Sequence, residues 1–141
     1  MNQIHHIGRV VKNIAKEFKY YHSLGFECIK PIKIDPFQKV KVGLVNLGQG
    51  IFLELLEPHG EKSPIKNFLA KGGGLHHICY ESKDLERTIK KMKELGTVLS
   101  KPTPSVFGGK KVFFFYSRRK EILEFIEDDK KLNKNHGKLK K

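Results

Sequence analysis

Two pairs of adjacent histidines and two glutamates recur along this chain at nearly the same interval. The segment HHI starts at His5 and starts again at His76, 71 residues later. The segment FLELLEP contains Glu54, and the similar segment ILEFIED contains Glu124, 70 residues further on. Imidazoles and carboxylates are common ligands of divalent transition metals in proteins. The spacing therefore suggests one metal site to which both halves of the chain contribute.

The two glutamates lie in short apolar segments that are typical of strands. Because side chains alternate across a strand, Glu54 shares a face with Phe52 and Leu56, which are both apolar. A carboxylate buried among apolar side chains is costly unless a partner compensates its charge. We therefore predict that one divalent metal ion per chain (Co, Ni, Mn, Fe or Zn) is bound by four residues: His6, Glu54, His77 and Glu124.

The same alternation places the other two histidines, His5 and His76, on the opposite face, beside Ile7 and Ile78. We expect structural roles for them, or contacts behind the metal ligands at most. A lone histidine on an apolar strand is more often an ordinary core or surface residue. The recurrence of a histidine and a glutamate in equivalent places is what favours a metal site over that alternative.

A helical pattern follows each histidine pair. Apolar residues recur at positions i, i+4, i+7 and i+10, which lie on one helix face. The first stripe is Ile14, Phe18, Tyr21 and Leu24, and the second is Leu85, Ile89, Met92 and Leu95. We predict N-caps at Asn13 and Asp84, and helix-terminating glycines at Gly25 and Gly96.

The repeat predicts an α+β fold of two βαβββ modules that form one curved mixed sheet around the metal site. One domain is expected over residues 1–129, made of a module at 4–58 and a module at 75–128. The segment 58–71 should contain a short linking helix, followed by three glycines at 72–74. The later strands are predicted at 39–47, 51–56, 111–116 and 121–126, with short strands near 26–32 and 98.

Composition excludes several classes of protein. No run of 18 apolar residues is present, so we expect no membrane span, and the first residues do not resemble a signal peptide. A cytoplasmic location is the expectation that follows. The two cysteines, Cys28 and Cys79, are expected to be reduced thiols in the core.

The net charge of +13 has two sources. Six lysines fall in residues 130–141, which lack apolar periodicity and are predicted to form a basic, disordered tail. The remaining excess favours an anionic ligand. A nucleic-acid partner is not favoured, because no helix-turn-helix, zinc-finger or RNP-like motif is visible.

The segments HHIGRVVKNIAKEFKYYHSLGF and GLHHICYESKDLERTIKKMKELG resemble the strand–helix units of the vicinal oxygen chelate (glyoxalase) superfamily. Within it, LELLEPHGEKSPIKNFL and GGKKVFFFY are similar to the methylmalonyl-CoA epimerase family. The resemblance implies a small-molecule substrate, an acyl thioester, and a cupped site, often in a homodimer. It also implies that the four predicted ligands are the metal positions, that Glu54 and Glu124 are the catalytic carboxylates, and that a proton is abstracted beside a carbonyl.

The resemblance further implies a site for the phosphates of coenzyme A. The candidates are Lys110, Lys111, Arg118, Arg119 and Lys120, for which an ordinary solvated hairpin is the alternative. The epimerases carry an additional glutamate base in the loop before their long strand. The matching place here falls near Phe37 or Gln38, and Asp35 is the nearest acid.

Without that base, a ligand glutamate must serve, as in glyoxalase I, whose bacterial form resembles this chain in its His/Glu/His/Glu pattern. A glyoxalase I-like lyase or a related biosynthetic enzyme is therefore the second hypothesis. Two further hypotheses are a non-catalytic small-molecule-binding protein of the same fold and a nucleic-acid accessory protein that binds through the lysine-rich tail.

Overall fold

The computed structural model describes residues 3–128, in which strand, helix and further strands occur in that order twice. The first set is β1 (Ile4–Val10), α1 (Ile14–Ser23), β2 (Glu27–Asp35), β3 (Val40–Gly48) and β4 (Ile51–Pro58). A short helix, α2 (Lys66–Ala70), links it to the second set. That set is β5 (Gly74–Ser82), α3 (Leu85–Leu95), β6 (Gly96–Val98), β7 (Thr103–Pro104), β8 (Lys111–Ser117) and β9 (Ile122–Glu127). The predicted tail at 130–141 lies outside the described residues.

All of these strands belong to one open, mixed sheet of nine strands, which confirms the predicted fold class. The order is β2-β3-β4-β1-β5-β9-β8-β6, and β7 pairs with β8. β1 pairs in parallel with β4, and β5 in parallel with β9, while β1 and β5 pair with each other in antiparallel fashion. The two similar halves therefore join through their first strands, and the centre of the sheet reads β4-β1-β5-β9.

The long helices pack on the sheet through the predicted apolar stripes. Ile14 and Phe18 of α1 contact Val45, Leu53 and Leu55 in one buried cluster. A second cluster joins α3 to β8 and β9, and its members are Leu85, Ile89, Met92, Phe113, Phe115 and Phe125. The predicted N-caps are confirmed, since Asn13 accepts a hydrogen bond from Lys16 N at 2.9 Å and Asp84 one from Arg87 N at 3.1 Å. The stripes are shorter than predicted, because Leu24 and Leu95 are 54% and 48% exposed.

The two helix-terminating glycines differ from each other. Gly25 has φ of +94°, the left-handed conformation that the prediction requires. Gly96 also ends its helix as predicted, because it is the C-cap of α3 and its N–H donates to Met92 O. Its backbone is extended, with φ of 176°, and begins β6, so the left-handed conformation of a C′ glycine is absent there. A Cβ at Gly96 would lie 2.5 Å from Tyr116 O and 2.6 Å from Phe115 Cζ. Glycine is therefore required at this position by the close approach of β8, not by a left-handed backbone.

Two strands differ from their predicted extents. β2 reaches Asp35, beyond the predicted end near residue 32, and β7 was not predicted. β2 is an edge strand whose side chains are mostly exposed, so it lacks the apolar alternation that marks a half-buried strand. Cys28 and Cys79 are free thiols, as predicted, and Cys79 is fully buried. Within residues 3–128, no helix combines the length and apolar character needed to cross a bilayer.

Gly43 on β3 provides a test of the packing of α1 on the sheet. A Cβ at this buried position would lie 2.5 Å from Ile14 Cγ2 and 2.9 Å from Phe18 Cζ. We expect Gly43→Ala to lower the free energy of unfolding in urea by about 1–3 kcal/mol, because overpacked cores force side chains and backbone to shift. In an Ile14→Ala background the same change should cost less, since the nearer of the two obstructing groups, the Ile14 methyl, is absent and only the Phe18 ring remains. Equal costs in both backgrounds would contradict this packing.

Candidate metal centre

Four side chains from the four central strands meet at one point. They are His6 on β1, Glu54 on β4, His77 on β5 and Glu124 on β9. The Nε2 atom of His6 lies 2.8 Å from Glu124 Oε1 and 3.3 Å from Glu54 Oε1. The Nε2 atom of His77 lies 3.0 Å and 3.4 Å from the same two oxygens, and 3.3 Å from His6 Nε2. The structure thus brings together all four residues that the sequence analysis proposed as ligands.

The pairing of the strands explains this convergence. Gly8 of β1 is opposite Glu54 on one side and opposite His77 on the other. The equivalent residue of the second half, Cys79, is opposite Glu124 and His6. The single site therefore receives two equivalent pairs of ligands, and each pair flanks a small residue of the central strands, Gly8 or Cys79.

Gly8 is a part of the site that the sequence analysis missed. A Cβ at this position would lie 2.6 Å from Nδ1 and Nε2 of His77, so the imidazole occupies the space that a side chain would need. The available signal was that Gly8 is two residues beyond His6, as Cys79 is two residues beyond His77. Two further residues not predicted are Phe107, whose ring stacks on His6 at 4.9 Å, and Phe114, whose ring meets His77 edge-on at 5.3 Å.

The cluster is almost completely removed from solvent. Its relative exposures are 0% for His6, 6% for Glu54, 5% for His77 and 2% for Glu124. Burial alone would lower the pKa of each imidazole, but the charges and hydrogen bonds of the two carboxylates raise it above its usual value. Burial would likewise raise the pKa of both glutamates, yet the two histidines lower it. The charged forms of the four groups therefore stabilise one another.

The donor set fits a divalent metal ion. When two metal–ligand bonds are each about 2.1 Å long and meet at an angle between a right angle and the tetrahedral angle, the two ligand atoms lie roughly 3.0–3.4 Å apart. The five separations given above, 2.8–3.4 Å, cover that range. Two carboxylates also balance the charge of one divalent cation, and the mixture of imidazole and carboxylate suits Zn, Fe, Co, Ni or Mn.

His5 and His76 lie on the same side as the ligand histidines, so their predicted direction is wrong. Between β1 and β5, Ile4 pairs with Tyr80 and His6 with Cys79, which leaves His5 as an extra residue in a β-bulge. At a bulge the regular alternation of side chains is broken. The Nδ1 atoms of His5 and His6 are 2.8 Å apart, as are those of His76 and His77.

The two outer histidines are uncharged at neutral pH. Burial, followed by the neighbouring ligand histidine, lowers the pKa of His5 and of His76 to about 4. A neutral imidazole has one nitrogen that donates a hydrogen bond and one that accepts. Each outer histidine can therefore accept a hydrogen bond from the ring of its neighbour.

A cavity of about 370 Å³ opens beside His77. Most of its lining is apolar and comes from both halves of the chain, including Val40, Leu56, Ile65, Leu99, Val112 and Phe114. Among the described residues that line it, the polar ones are Gln38, His76, His77, Ser100 and Thr103. A mostly apolar pocket with a few convergent polar groups is typical of small-molecule sites.

The predicted basic residues do not lie together. Lys110 is near enough to His5 for its charge to lower the pKa of that imidazole. The backbone N–H of Lys111 donates to Glu127 Oε1 at 2.6 Å at the start of β8. Arg118 and Arg119 line a separate groove beside α3, where Arg118 Nη2 donates to Glu94 O at 3.2 Å. Arg118 and Arg119 are therefore not in the lining of the cavity beside His77.

Asp35, the acid nearest to the expected loop base, is buried at the end of β2. Its Oδ1 accepts hydrogen bonds from Phe37 N at 3.0 Å and from Gln38 N at 3.1 Å. Burial raises its pKa, and these two hydrogen bonds oppose that change. The arrangement holds the turn between β2 and β3, a structural role that the sequence analysis had not considered.

Comparison with known proteins agrees with the fold. Residues 5–114 match the Glyoxalase/Bleomycin resistance protein/Dioxygenase superfamily, and the chain belongs to this superfamily. An ethylmalonyl-CoA/methylmalonyl-CoA epimerase of Cereibacter sphaeroides is 35% identical over 123 residues, which cover 84% of this chain and 90% of that protein. The mitochondrial methylmalonyl-CoA epimerase of Dictyostelium discoideum is 30% identical over 125 residues, 84% of this chain and 72% of that protein.

Among solved structures, a hypothetical protein from Bacillus halodurans C-125 has the same fold. It superimposes with a TM-score of 0.81 at 34% identity, covering 90% of this chain and 94% of that one. The resemblance stated from the sequence, to the glyoxalase superfamily and to its epimerases, is confirmed.

Substitutions test the metal centre without reference to any substrate. We expect elemental analysis to find about one divalent metal ion per chain after reconstitution, and His77→Ala to lose it. Gly8→Ala should also reduce metal binding, although it removes no ligand, because its methyl group overlaps the His77 ring. The exposed His59 provides the control, and His59→Ala should bind metal as the unaltered chain does. Equal metal content in all four proteins would contradict the assignment.

Proposed function

We propose that this protein is a metal-dependent isomerase that moves the α-proton of an acyl thioester, as an epimerase does. The single observation that carries the proposal is the buried cluster of His6, Glu54, His77 and Glu124 beside an apolar cavity. The epimerases that are 30–35% identical to this chain support the reaction class and suggest a methylmalonyl-CoA-like substrate. We also propose that the protein is a homodimer, as is frequent in the superfamily.

The roles of the chain's residues follow from their positions. His6, Glu54, His77 and Glu124 would hold one divalent metal ion, which supplies a Lewis acid that stabilises negative charge on a carbonyl oxygen. The apolar lining excludes water, so charges at the site interact more strongly than they would in solution. The acyl group would lie in the cavity beside His77.

The two carboxylates suit the proton transfers of an epimerisation. Glu54 and Glu124 lie on β4 and β9, the outer strands of the central four, so they approach the site from opposite sides. One carboxylate would take the proton as the α C–H bond breaks, and a carboxyl group on the other side would return a proton to the opposite face of the same carbon. The α-carbon then has inverted configuration, and the overall proton count is unchanged.

Recognition of coenzyme A is a separate part of the proposal. Of the predicted basic residues, Lys110 is the one whose charge acts on the site, through His5. We propose that Lys110 and Lys111, at the start of β8, contact the phosphates. Arg118 and Arg119 would contact coenzyme A only if its nucleotide extended as far as the groove beside α3.

A glyoxalase I-like lyase is the second candidate, and the donor set favours it. Both carboxylates of the described site belong to the cluster itself, and the β3 residues opposite Glu54 and Leu56, which are Leu44 and Val42, are apolar. Asn46, the next β3 residue on that face, donates its side-chain N–H to Glu27 Oε1 on β2. A reaction that uses a ligand carboxylate as its base is compatible with this arrangement. Formation of lactoylglutathione from methylglyoxal and glutathione by the metal-loaded protein would support this candidate over the epimerase.

Exchange of the α-proton tests the leading proposal. We expect metal-loaded protein in heavy water to introduce deuterium at the α-carbon of methylmalonyl-CoA, detected by mass spectrometry. Glu124→Gln should slow the exchange by about 10²–10⁴-fold at saturating metal, since it removes a general acid–base. Glu121→Gln, at an exposed position just before β9, is the matched control and should exchange normally. Absence of exchange by fully metal-loaded, unaltered protein would refute the epimerase proposal.

Asp35 is the alternative base, and one variant separates it from the ligand glutamates. Asp35→Asn keeps an oxygen that can accept the hydrogen bonds from Phe37 N and Gln38 N, so the turn should be retained. If the ligand carboxylates move the proton, this variant should exchange within a few-fold of the unaltered protein. A loss comparable to that of Glu124→Gln would instead identify Asp35 as the base.

A further inference from the structure

We propose that His5 and His76 are positioning residues that fix the ring orientation and the tautomer of the metal ligands His6 and His77. The inference rests on the metal centre of the proposed function, and it is independent of the substrate. It assigns a role to the outer member of each histidine pair, which has no ligand atom in the four-residue cluster.

The backbone presents both pairs in the same way. His5 and His6 together face Cys79 across the β1–β5 pairing, and His76 and His77 together face Gly8. Each pair thus lies at a β-bulge, which turns two consecutive side chains toward the same face. Bulges commonly re-aim a side chain next to a functional site. Here one bulge redirects His5 and the other redirects His76.

The hydrogen bond within each pair determines which nitrogen of the ligand ring is available. His6 Nε2 faces Glu54 and Glu124, and His77 Nε2 faces the same two carboxylates. A nitrogen that binds metal must offer a lone pair, so the proton of each ligand ring belongs on Nδ1. That Nδ1–H donates to the Nδ1 atom of the outer histidine, 2.8 Å away in both pairs. The outer ring then carries its own proton on Nε2.

Aromatic side chains hold the outer rings in place. The ring of His5 meets that of Phe107 edge-on at 4.7 Å, and Phe52 lies 6.2 Å away. The ring of His76 meets Phe68 of α2 edge-on at 4.9 Å. These contacts come from different parts of the chain, yet each leaves Nδ1 of the outer histidine directed at its neighbour. Partners that hold the second nitrogen of a ligating histidine commonly orient the ring and raise metal affinity.

Two substitutions separate this role from simple packing. An asparagine offers an acceptor oxygen close to the place of histidine Nδ1, whereas leucine has similar bulk and no acceptor. We expect His76→Leu to weaken zinc binding by about 10–100-fold in competition with a chelator, and His76→Asn to recover most of that loss. His5→Leu and His5→Asn should behave alike, and His59→Leu is the exposed control. If the leucine and asparagine variants bind zinc as tightly as the unaltered chain, or if both lose affinity equally, the inference fails.

Nuclear magnetic resonance of the unaltered, zinc-loaded protein provides a readout that packing alone would not determine. We expect ¹⁵N shifts to show the proton on Nδ1 of His6 and His77 and on Nε2 of His5 and His76. The opposite tautomer in the outer rings would overturn the inference even if a leucine variant did not fold. Retained zinc and the expected tautomers with no α-proton exchange would contradict the proposed reaction alone, so the two failures are distinguishable.

Discussion

Two carboxylates are buried against two imidazoles at the centre of the sheet, and this contact constrains how the strands can be arranged. Glu54 and Glu124 lie in the middle of a sheet, where an isolated negative charge is strongly disfavoured. Both meet the Nε2 atoms of His6 and His77, and the histidines lower the pKa of both glutamates despite burial. Positive charge on the imidazoles would balance the carboxylates, and a divalent cation bound by the four groups would do the same.

The duplicated fold meets this constraint by placing the first strands of the two halves side by side. The antiparallel pairing of β1 with β5, and the parallel pairing of each with the last strand of its own half, brings four ligands to adjacent strands. The ligands can approach one another because Gly8 has no side chain, which leaves space for the ring of His77. The helices α1 and α3 cover the face of the sheet away from the site, where Leu55 and Phe113 are fully buried. The opposite face is left for the ligands and the cavity.

Much of this arrangement could be predicted from the internal repeat. A histidine or a glutamate in one strand is weak evidence of a metal ligand, but the same residue at the equivalent place in both halves is stronger evidence. The matched positions of His6 with His77 and of Glu54 with Glu124 predicted the cluster before any geometry was known. The direction of His5 could not be predicted, because alternation assumes regular pairing and a bulge depends on the partner strand. The extended backbone of Gly96 was missed for a similar reason, since the approach of Tyr116 and Phe115 is a tertiary feature. The separation of Arg118 and Arg119 from the cavity also depends on how the β8–β9 hairpin packs on α3.

Anomalous X-ray diffraction from crystals of the protein grown with cobalt or nickel is the most direct test of the shared metal centre. We expect a single strong peak per chain, about 2.0–2.2 Å from His6 Nε2, His77 Nε2, Glu54 Oε1 and Glu124 Oε1. A peak bound elsewhere, or no peak at a metal concentration that saturates the protein, would contradict it.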